Sequence, residues 1–171
     1  ILGPFPNATR GFESLFVAID KFTMWPEVQP VRKVTAQSAI KFLKGLVCHF
    51  GVPPRIITDN GAQFTSRAFM QYVHALGWKI AAASVAHHWS NEEAERANAE
   101  VLRGPKTRTF DALQKHDKRW IKELPVVLWS LRLTPNRATG QTPFSLVYGA
   151  EAIIPMELIY WSPQVLAYDE V

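Results

Sequence analysis

The stretch Arg55–Phe64 reads Arg-Ile-Ile-Thr-Asp-Asn-Gly-Ala-Gln-Phe and contains the strongest fold signal in the chain. Its β-branched run predicts a short buried strand, and Asp59 follows at the carboxyl end of that strand. A second acid, Glu95, lies where a polar loop gives way to a predicted helix, with 35 residues between the two acids. Carboxylates at a strand end and on a nearby helix can converge on a divalent cation, which prefers oxygen ligands. The pattern indicates a metal-dependent phosphoryl-transfer site.

The composition is that of a single globular domain. A chain of 171 residues with 47% hydrophobic and 20% charged residues can bury a sizeable core, which excludes the disordered class. One cysteine excludes an internal disulfide and a cysteine-rich zinc module. No apolar run approaches the roughly 20 residues that span a bilayer, and no signal pattern opens the chain. We therefore expect an intracellular protein that does not associate with membranes.

The excess positive charge is concentrated in one segment. The net charge is +4, and residues 103–122 contain seven basic residues but only two acidic ones. The basic residues are Arg103, Lys106, Arg108, Lys115, Lys118, Arg119 and Lys122. Such a concentration predicts a phosphate-binding surface. A solvated helix face would give the same pattern, and the sequence does not decide between the two interpretations.

Hydrophobic periodicity predicts strands, then strand–helix alternation, then helices. The predicted elements are strands at 12–22 and 25–31, a helix from Thr35 closed by Gly51, a strand at 55–58, a helix from Ser66 to Leu76, a strand at 78–83, a helix from about Glu92 ended by Gly104-Pro105, a helix capped by Asp117 and kinked at Pro125, and a short helix from Thr142 to Gly149. This order predicts an α/β domain, a mixed sheet flanked by helices. We assign residues 1–152 to this domain and 153–171 to an extended tail.

Several segments together resemble the catalytic core of retroviral and retrotransposon integrases, most closely that of plant gypsy-type long-terminal-repeat retrotransposons. They are Leu2–Pro6, Phe16–Thr23, the segments around Asp59 and Glu95, Leu124–Ser130 and Thr134–Gly140. The resemblance covers nearly the whole chain. It implies a ribonuclease-H-like fold and a polynucleotidyl transferase that performs 3′-end processing and strand transfer. It also implies element ends and a target duplex as DNA partners, a homo-oligomer, and location in the nucleus or in a cytoplasmic particle before nuclear entry.

The resemblance assigns Asp59 and Glu95 as catalytic, metal-binding acids in a set of three that holds two Mg²⁺ or Mn²⁺ ions. The first acid of the family stands immediately before the segment that matches Ile1–Pro4, so we expect impaired activity from the chain as given. Other interpretations stay open: an Asx turn at Asp59 and a macrodipole interaction at Glu95. The loop residues Trp89–Glu93 and the helix-breaking Gly104-Pro105 also depart from the family pattern.

Uncharged amides flank the two acids. We predict that they contact DNA phosphate and sugar without reading sequence, although local turn bonding explains Asn60 and Asn91 equally well. The predicted nucleic-acid-binding residues are Asn60, Gln63, Asn91, Asn98, Arg103, Lys106, Lys115, Lys118 and Arg119. Two other functions remain: a catalytically dead DNA-binding or assembly remnant of a retrotransposon polyprotein, and a ribonuclease-H-like nuclease. The spacing between the two acids argues against the nuclease.

Overall fold

The computed structural model describes residues 1–82, 113, 117–136 and 139–153. Within these ranges the strands are β1 (Ser14–Ile19), β2 (Pro26–Val31), β3 (Ile56–Thr58) and β4 (Ile80–Ala82). The helices are α1 (Ala36–Phe50), α2 (Ala62–Thr65), α3 (Arg67–Ala75), α4 (Trp120–Leu133) and α5 (Pro143–Tyr148), with a 3₁₀ turn at Asp117–Arg119. No helix in this part of the chain is long and apolar enough to cross a membrane.

The strands pair in both directions, as predicted for a mixed sheet. β1 and β2 form an antiparallel hairpin in which Val17 lies opposite Val28. β3 and β4 are parallel, with Ile56 opposite Ile80. Among the described strands these are two separate hydrogen-bonded pairs rather than one continuous sheet. In these ranges β2 pairs only with β1, an edge position that tolerates the two prolines of β2.

Alternate residues of β1 face two cores, because successive side chains of a strand point to opposite faces. Phe16 packs into the α1 core, whose other buried members are Val31, Ala39, Leu43, Phe69, Val73 and Trp78. Leu15 packs into the α4 core, whose other buried members are Phe5, Ala8, Leu113, Trp120 and Leu124. Helices therefore lie on both faces of the hairpin, and the predicted α/β class is confirmed.

Local capping signals begin and end the predicted helices. The Thr35 hydroxyl accepts from the Ser38 N–H at 3.1 Å, while the Ser38 hydroxyl accepts from the Thr35 N–H at 2.9 Å. This reciprocal pair is a capping box, and Gly51 ends α1 with a positive φ of 78°. The hydroxyls of Ser66 and Thr142 cap α3 and α5 by accepting from the N–H three residues further on. The predicted starts of α1, α3 and α5 are confirmed.

Two details differ from the sequence prediction. A 3₁₀ turn at Asp117–Arg119 precedes α4 and places Arg119 at the N-cap position, without a side-chain capping bond, so the α-helix begins later than the predicted cap at Asp117. As predicted, the helix continues through Pro125, which lacks an N–H for the intrahelical ladder. The helix predicted to run to Leu76 ends at Ala75, and Leu76 is 41% exposed just beyond its last residue. The predicted helix from Glu92 and the tail beyond Ile153 lie outside the described residues.

Candidate metal and nucleic-acid site

Asp59 lies one residue beyond the end of β3, as the sequence predicts. Its Oδ1 atom accepts a hydrogen bond from the backbone N–H of Gly61 at 3.1 Å. This bond defines an Asx turn, so the alternative interpretation of Asp59 is correct for one carboxylate oxygen. A carboxylate has about four acceptor positions, and the Asp59 side chain is 49% exposed. The turn therefore orients the carboxylate and leaves capacity for a further partner.

The N-terminal segment brings a distant chain position to this carboxylate. The Ile1 nitrogen lies 3.3 Å from Oδ2 of Asp59, across 58 residues of sequence. An antiparallel bridge between Leu2 and Leu15 aligns the segment with β1. A residue bonded to the Ile1 nitrogen would therefore lie beside Asp59. Neither periodicity nor spacing predicts this contact, and only the resemblance pointed to this end of the chain.

Packing against α4 holds the N-terminal segment in place. The Phe5 ring stacks on Trp120 with ring centroids 4.7 Å apart, and the Trp120 indole N–H donates to the Pro6 carbonyl at 2.8 Å. Gly3 has a φ of +125°, and a Cβ there would lie 2.8 Å from the Glu13 carbonyl oxygen, so only glycine fits. The segment is thus fixed on one side by β1 and on the other by a fully buried tryptophan.

A short helix places a predicted amide against the Asp59 turn. Helix α2 begins after Gly61, and a Cβ on Gly61 would collide with the side-chain amide of Gln63. Asn60 is exposed within the same turn. The structure therefore places Asn60 and the Gln63 amide in and beside the Asp59 turn, while their roles in binding DNA stay predictions. Helix α2 itself was missed, because four residues are too few to show a helical period.

Of the other predicted site residues, the structure describes only Lys118 and Arg119. Those outside the described residues are Glu95, Asn91, Asn98, Arg103, Lys106 and Lys115, and their roles stay predictions. Lys118 and Arg119 are exposed just before α4 and form no ion pair with any residue that the structure describes. Their charges are therefore not neutralised locally within that part of the chain.

The donor chemistry at Asp59 suits a hard divalent cation. A half-exposed carboxylate at a strand end offers the oxygen ligands that Mg²⁺ takes. In open α/β sheets this strand end is also where ligands bind. Among residues 1–82, 113, 117–136 and 139–153 no group of three or more His, Cys, Asp or Glu side chains could hold a metal. Within the described part of the chain, Asp59 is thus the carboxylate at this strand end that could bind a divalent metal.

Comparison with known proteins shows the family. The model of the integrase core domain matches residues 3–88. The Gag-Pol polyprotein of feline leukemia virus is 34% identical over 143 residues, which are 82% of this chain and 8% of that protein. The Gag-Pol polyprotein of walleye dermal sarcoma virus is 32% identical over 149 residues, which are 85% of this chain and 8% of that protein. The chain thus spans a small part of the curated relatives it matches.

Solved structures show the same fold. The simian T-cell lymphotropic virus intasome has a TM-score of 0.61 at 21% identity, covering 90% of this chain and 58% of that chain. The HTLV-2 integrase catalytic core domain in complex with magnesium, in its trimeric form, has a TM-score of 0.55 at 22% identity, covering 84% and 98%. The chain therefore belongs to the integrase core domain family and has the ribonuclease-H-like α/β fold of integrase catalytic cores.

Proposed function

We propose that this chain is the catalytic core of an integrase-type polynucleotidyl transferase. Its reactions are 3′-end processing of element DNA and strand transfer into a target duplex. The observation that supports this most is the 3.3 Å approach of the Ile1 nitrogen to Asp59. Because the family's first acid precedes this position, that acid would lie beside the second one. In a chain that extends to that acid, the acid would complete a set with Asp59 and Glu95.

The proposed metal ligands are Asp59, Glu95 and the acid before Ile1. They would hold two Mg²⁺ or Mn²⁺ ions. When bound, such ions lower the pKa of an attacking oxygen and stabilise the charge on the leaving oxygen. The exposed carboxylate at the end of β3 supports this assignment, as does the magnesium in the related HTLV-2 core structure.

The chain's own residues position the carboxylate and the DNA. The Gly61 N–H engages Oδ1 of Asp59, so Oδ2 is the oxygen oriented toward the N-terminal segment. The Gln63 amide lies beside Gly61, which supports the proposal that it donates to a DNA phosphate oxygen. We propose the same role for Asn60, Asn91 and Asn98. The basic residues would neutralise phosphates and supply affinity that does not depend on sequence: Arg103, Lys106, Lys115, Lys118 and Arg119.

The two proposed steps balance as displacements at phosphorus. In processing, a water oxygen forms a bond to the phosphorus near the element end, and the P–O bond to the 3′ oxygen breaks. The 3′ oxygen gains a proton and becomes a free hydroxyl. In strand transfer this hydroxyl loses its proton, attacks a target phosphodiester and displaces a target 3′ oxygen, which gains a proton and becomes a hydroxyl. One phosphodiester bond forms for each one broken, so the second step needs no external energy source.

The test is joining of a labelled DNA end to a target duplex. The chain as given should show little or no joining. A chain extended by Asp before Ile1 and its upstream strand should join DNA at least with Mn²⁺, and Glu95→Gln should abolish this gain because it removes a negative ligand while keeping the side-chain shape. Glu13→Gln, at an exposed acid on the N-terminal side of β1, is the matched control and should retain the gain. If the extended chain folds but stays inert with either metal, the catalytically dead DNA-binding or assembly remnant is the better account.

We also propose that the chain assembles as a homo-oligomer on element ends and target DNA, in the nucleus or in a cytoplasmic particle before nuclear entry. An intasome among the related structures, and the trimeric and dimeric forms of the HTLV-2 core, support the assembly. Sedimentation of the extended chain with and without an element-end duplex tests it, and a monomer under both conditions would contradict it.

The resemblance supports an origin in a plant gypsy-type retrotransposon, for which long terminal repeats flanking the coding DNA are the test.

A further inference from the structure

A cavity of about 380 Å³ lies between α3 and β4. Its lining comes from α3, from the turn that follows it and from the start of β4: Met70, Val73, His74, Trp78, Lys79 and Ile80. The buried residues are Val73 and Trp78, while His74 and Lys79 are exposed. The volume falls within the roughly 300–1,000 Å³ typical of small-molecule sites. The cavity is thus apolar within, and Lys79 contributes a positive charge at its exposed side.

Trp78, a residue of the cavity lining, carries a buried hydrogen-bond donor. It is 8% exposed, and its indole nitrogen is buried with no hydrogen-bond acceptor among the residues that the structure describes. An indole N–H can only donate, and a buried donor left unpaired destabilises the folded state. Such groups are rare in native proteins, and each calls for an explanation, of which an acceptor supplied by a bound molecule is one.

Two backbone carbonyls of the cavity lining already accept hydrogen bonds from other groups. The Val73 carbonyl already accepts from the N–H groups of Leu76 and Trp78, and the His74 carbonyl accepts from the Gly77 N–H. Lys79 has three donors and no acceptor, and its ammonium makes no ion pair with any residue among those described. The Trp78 indole and the Lys79 ammonium are both donors, so this side of the cavity is complementary to an anionic acceptor with an apolar body.

We propose that this cavity binds a small amphiphilic carboxylate whose oxygen accepts from the Trp78 indole N–H. The second oxygen pairs with Lys79 at the exposed side, and the apolar body contacts Met70 and Ile80. Because the indole nitrogen is buried, the carboxylate reaches it through a local shift of the wall. Met70, with three rotatable side-chain bonds, supplies that shift. The site is separate from the acid site at Asp59 and does not depend on the proposed integration chemistry.

Titration of the chain with phenylacetate, followed by ¹⁵N–¹H spectra of the tryptophan side chains, tests the proposal. The Trp78 indole resonance should move downfield saturably, because its proton gains an acceptor. Benzylamine, which has the same ring but a positive charge, should bind at least tenfold more weakly. Trp78→Phe keeps an aromatic ring, removes the donor and should weaken phenylacetate binding by roughly tenfold or more. Lys79→Gln should weaken it by about two- to fivefold.

Lys41→Gln is the matched control, since Lys41 is an exposed lysine on α1 outside the cavity lining. It should leave phenylacetate binding unchanged. The proposal is overturned if the Trp78 resonance shows no saturable change, or if benzylamine binds as well as phenylacetate. If Trp78→Phe does not fold, the phenylacetate affinity of Lys79→Gln, a change at an exposed position, tests the proposal instead. Equal affinity of Lys79→Gln and the unchanged chain would then reject the ion pair.

Discussion

Replacing Trp120 by alanine should cause one of the largest losses of stability available in this domain. The side chain is fully buried in the α4 core, stacks on Phe5 at 4.7 Å and donates to the Pro6 carbonyl at 2.8 Å. Truncation of a buried tryptophan costs about 3–5 kcal/mol, including about 1 kcal/mol for the hydrogen bond. For a domain of this size that loss corresponds to a fall in Tm of roughly 6–20 °C. Trp120→Phe keeps an aromatic ring and should cost about 1–2 kcal/mol.

Urea unfolding followed by far-UV circular dichroism measures this loss. Trp129→Ala is the control on the same helix, because Trp129 is 42% exposed and touches Phe144 only edge to face. It should cost less than about 1.5 kcal/mol, since partial burial gives a smaller transfer term. Equal losses for Trp120→Ala and Trp129→Ala would refute the argument that Trp120 anchors the N-terminal segment.

Three further predictions concern DNA binding and the link between α4 and β2. Reversing three basic charges together should lower the slope of log affinity against log salt by up to about three, and an unchanged slope would mean a solvated face. The three are Lys115, Lys118 and Arg119. Gly61→Ala should remain folded but displace the Gln63 amide, so its affinity for DNA should fall to that of Gln63→Ala. If Gly61→Ala binds DNA as tightly as the unchanged chain while Gln63→Ala binds weakly, the proposed position of the Gln63 amide is wrong. Arg132→Gln should lower the free energy of unfolding in urea by about 1–3 kcal/mol, because it removes a cation–π contact with Trp25 at 4.2 Å and an ion pair with Glu27. A change below about 0.5 kcal/mol would show that neither contact stabilises the fold.

Elements with local signals could be predicted from the sequence. The starts of α1, α3 and α5 follow from Thr35, Ser66 and Thr142, because a capping hydroxyl bonds to an N–H only three residues away. The strand before Asp59 follows from its β-branched run. The predicted start of α4 at Asp117 was two residues early. Asp117 is a good capping residue type, but it lies in a 3₁₀ turn, and Arg119 occupies the N-cap position of the α-helix.

Contacts between distant residues could not be predicted in this way. The Ile1–Asp59 contact spans 58 residues, and the Trp120–Pro6 bond spans 114. Both depend on the packing of the N-terminal segment between β1 and α4, which no periodicity encodes. The pairing of Asp59 with Glu95 stays a prediction, because Glu95 lies outside the described residues.

The central claim is that Asp59 shares one divalent-metal site with Glu95 and an acid before Ile1. Electron paramagnetic resonance titration of Mn²⁺ into the Asp-extended chain tests it most directly. Asp59→Asn is the sharpest variant, because its amide oxygen can still accept from the Gly61 N–H and preserve the turn. We predict that Asp59→Asn and Glu95→Gln each weaken Mn²⁺ binding by at least about tenfold, or about 1.4 kcal/mol, while the fold is unchanged. Mn²⁺ binding of equal affinity in the extended chain and in both variants would contradict the shared site.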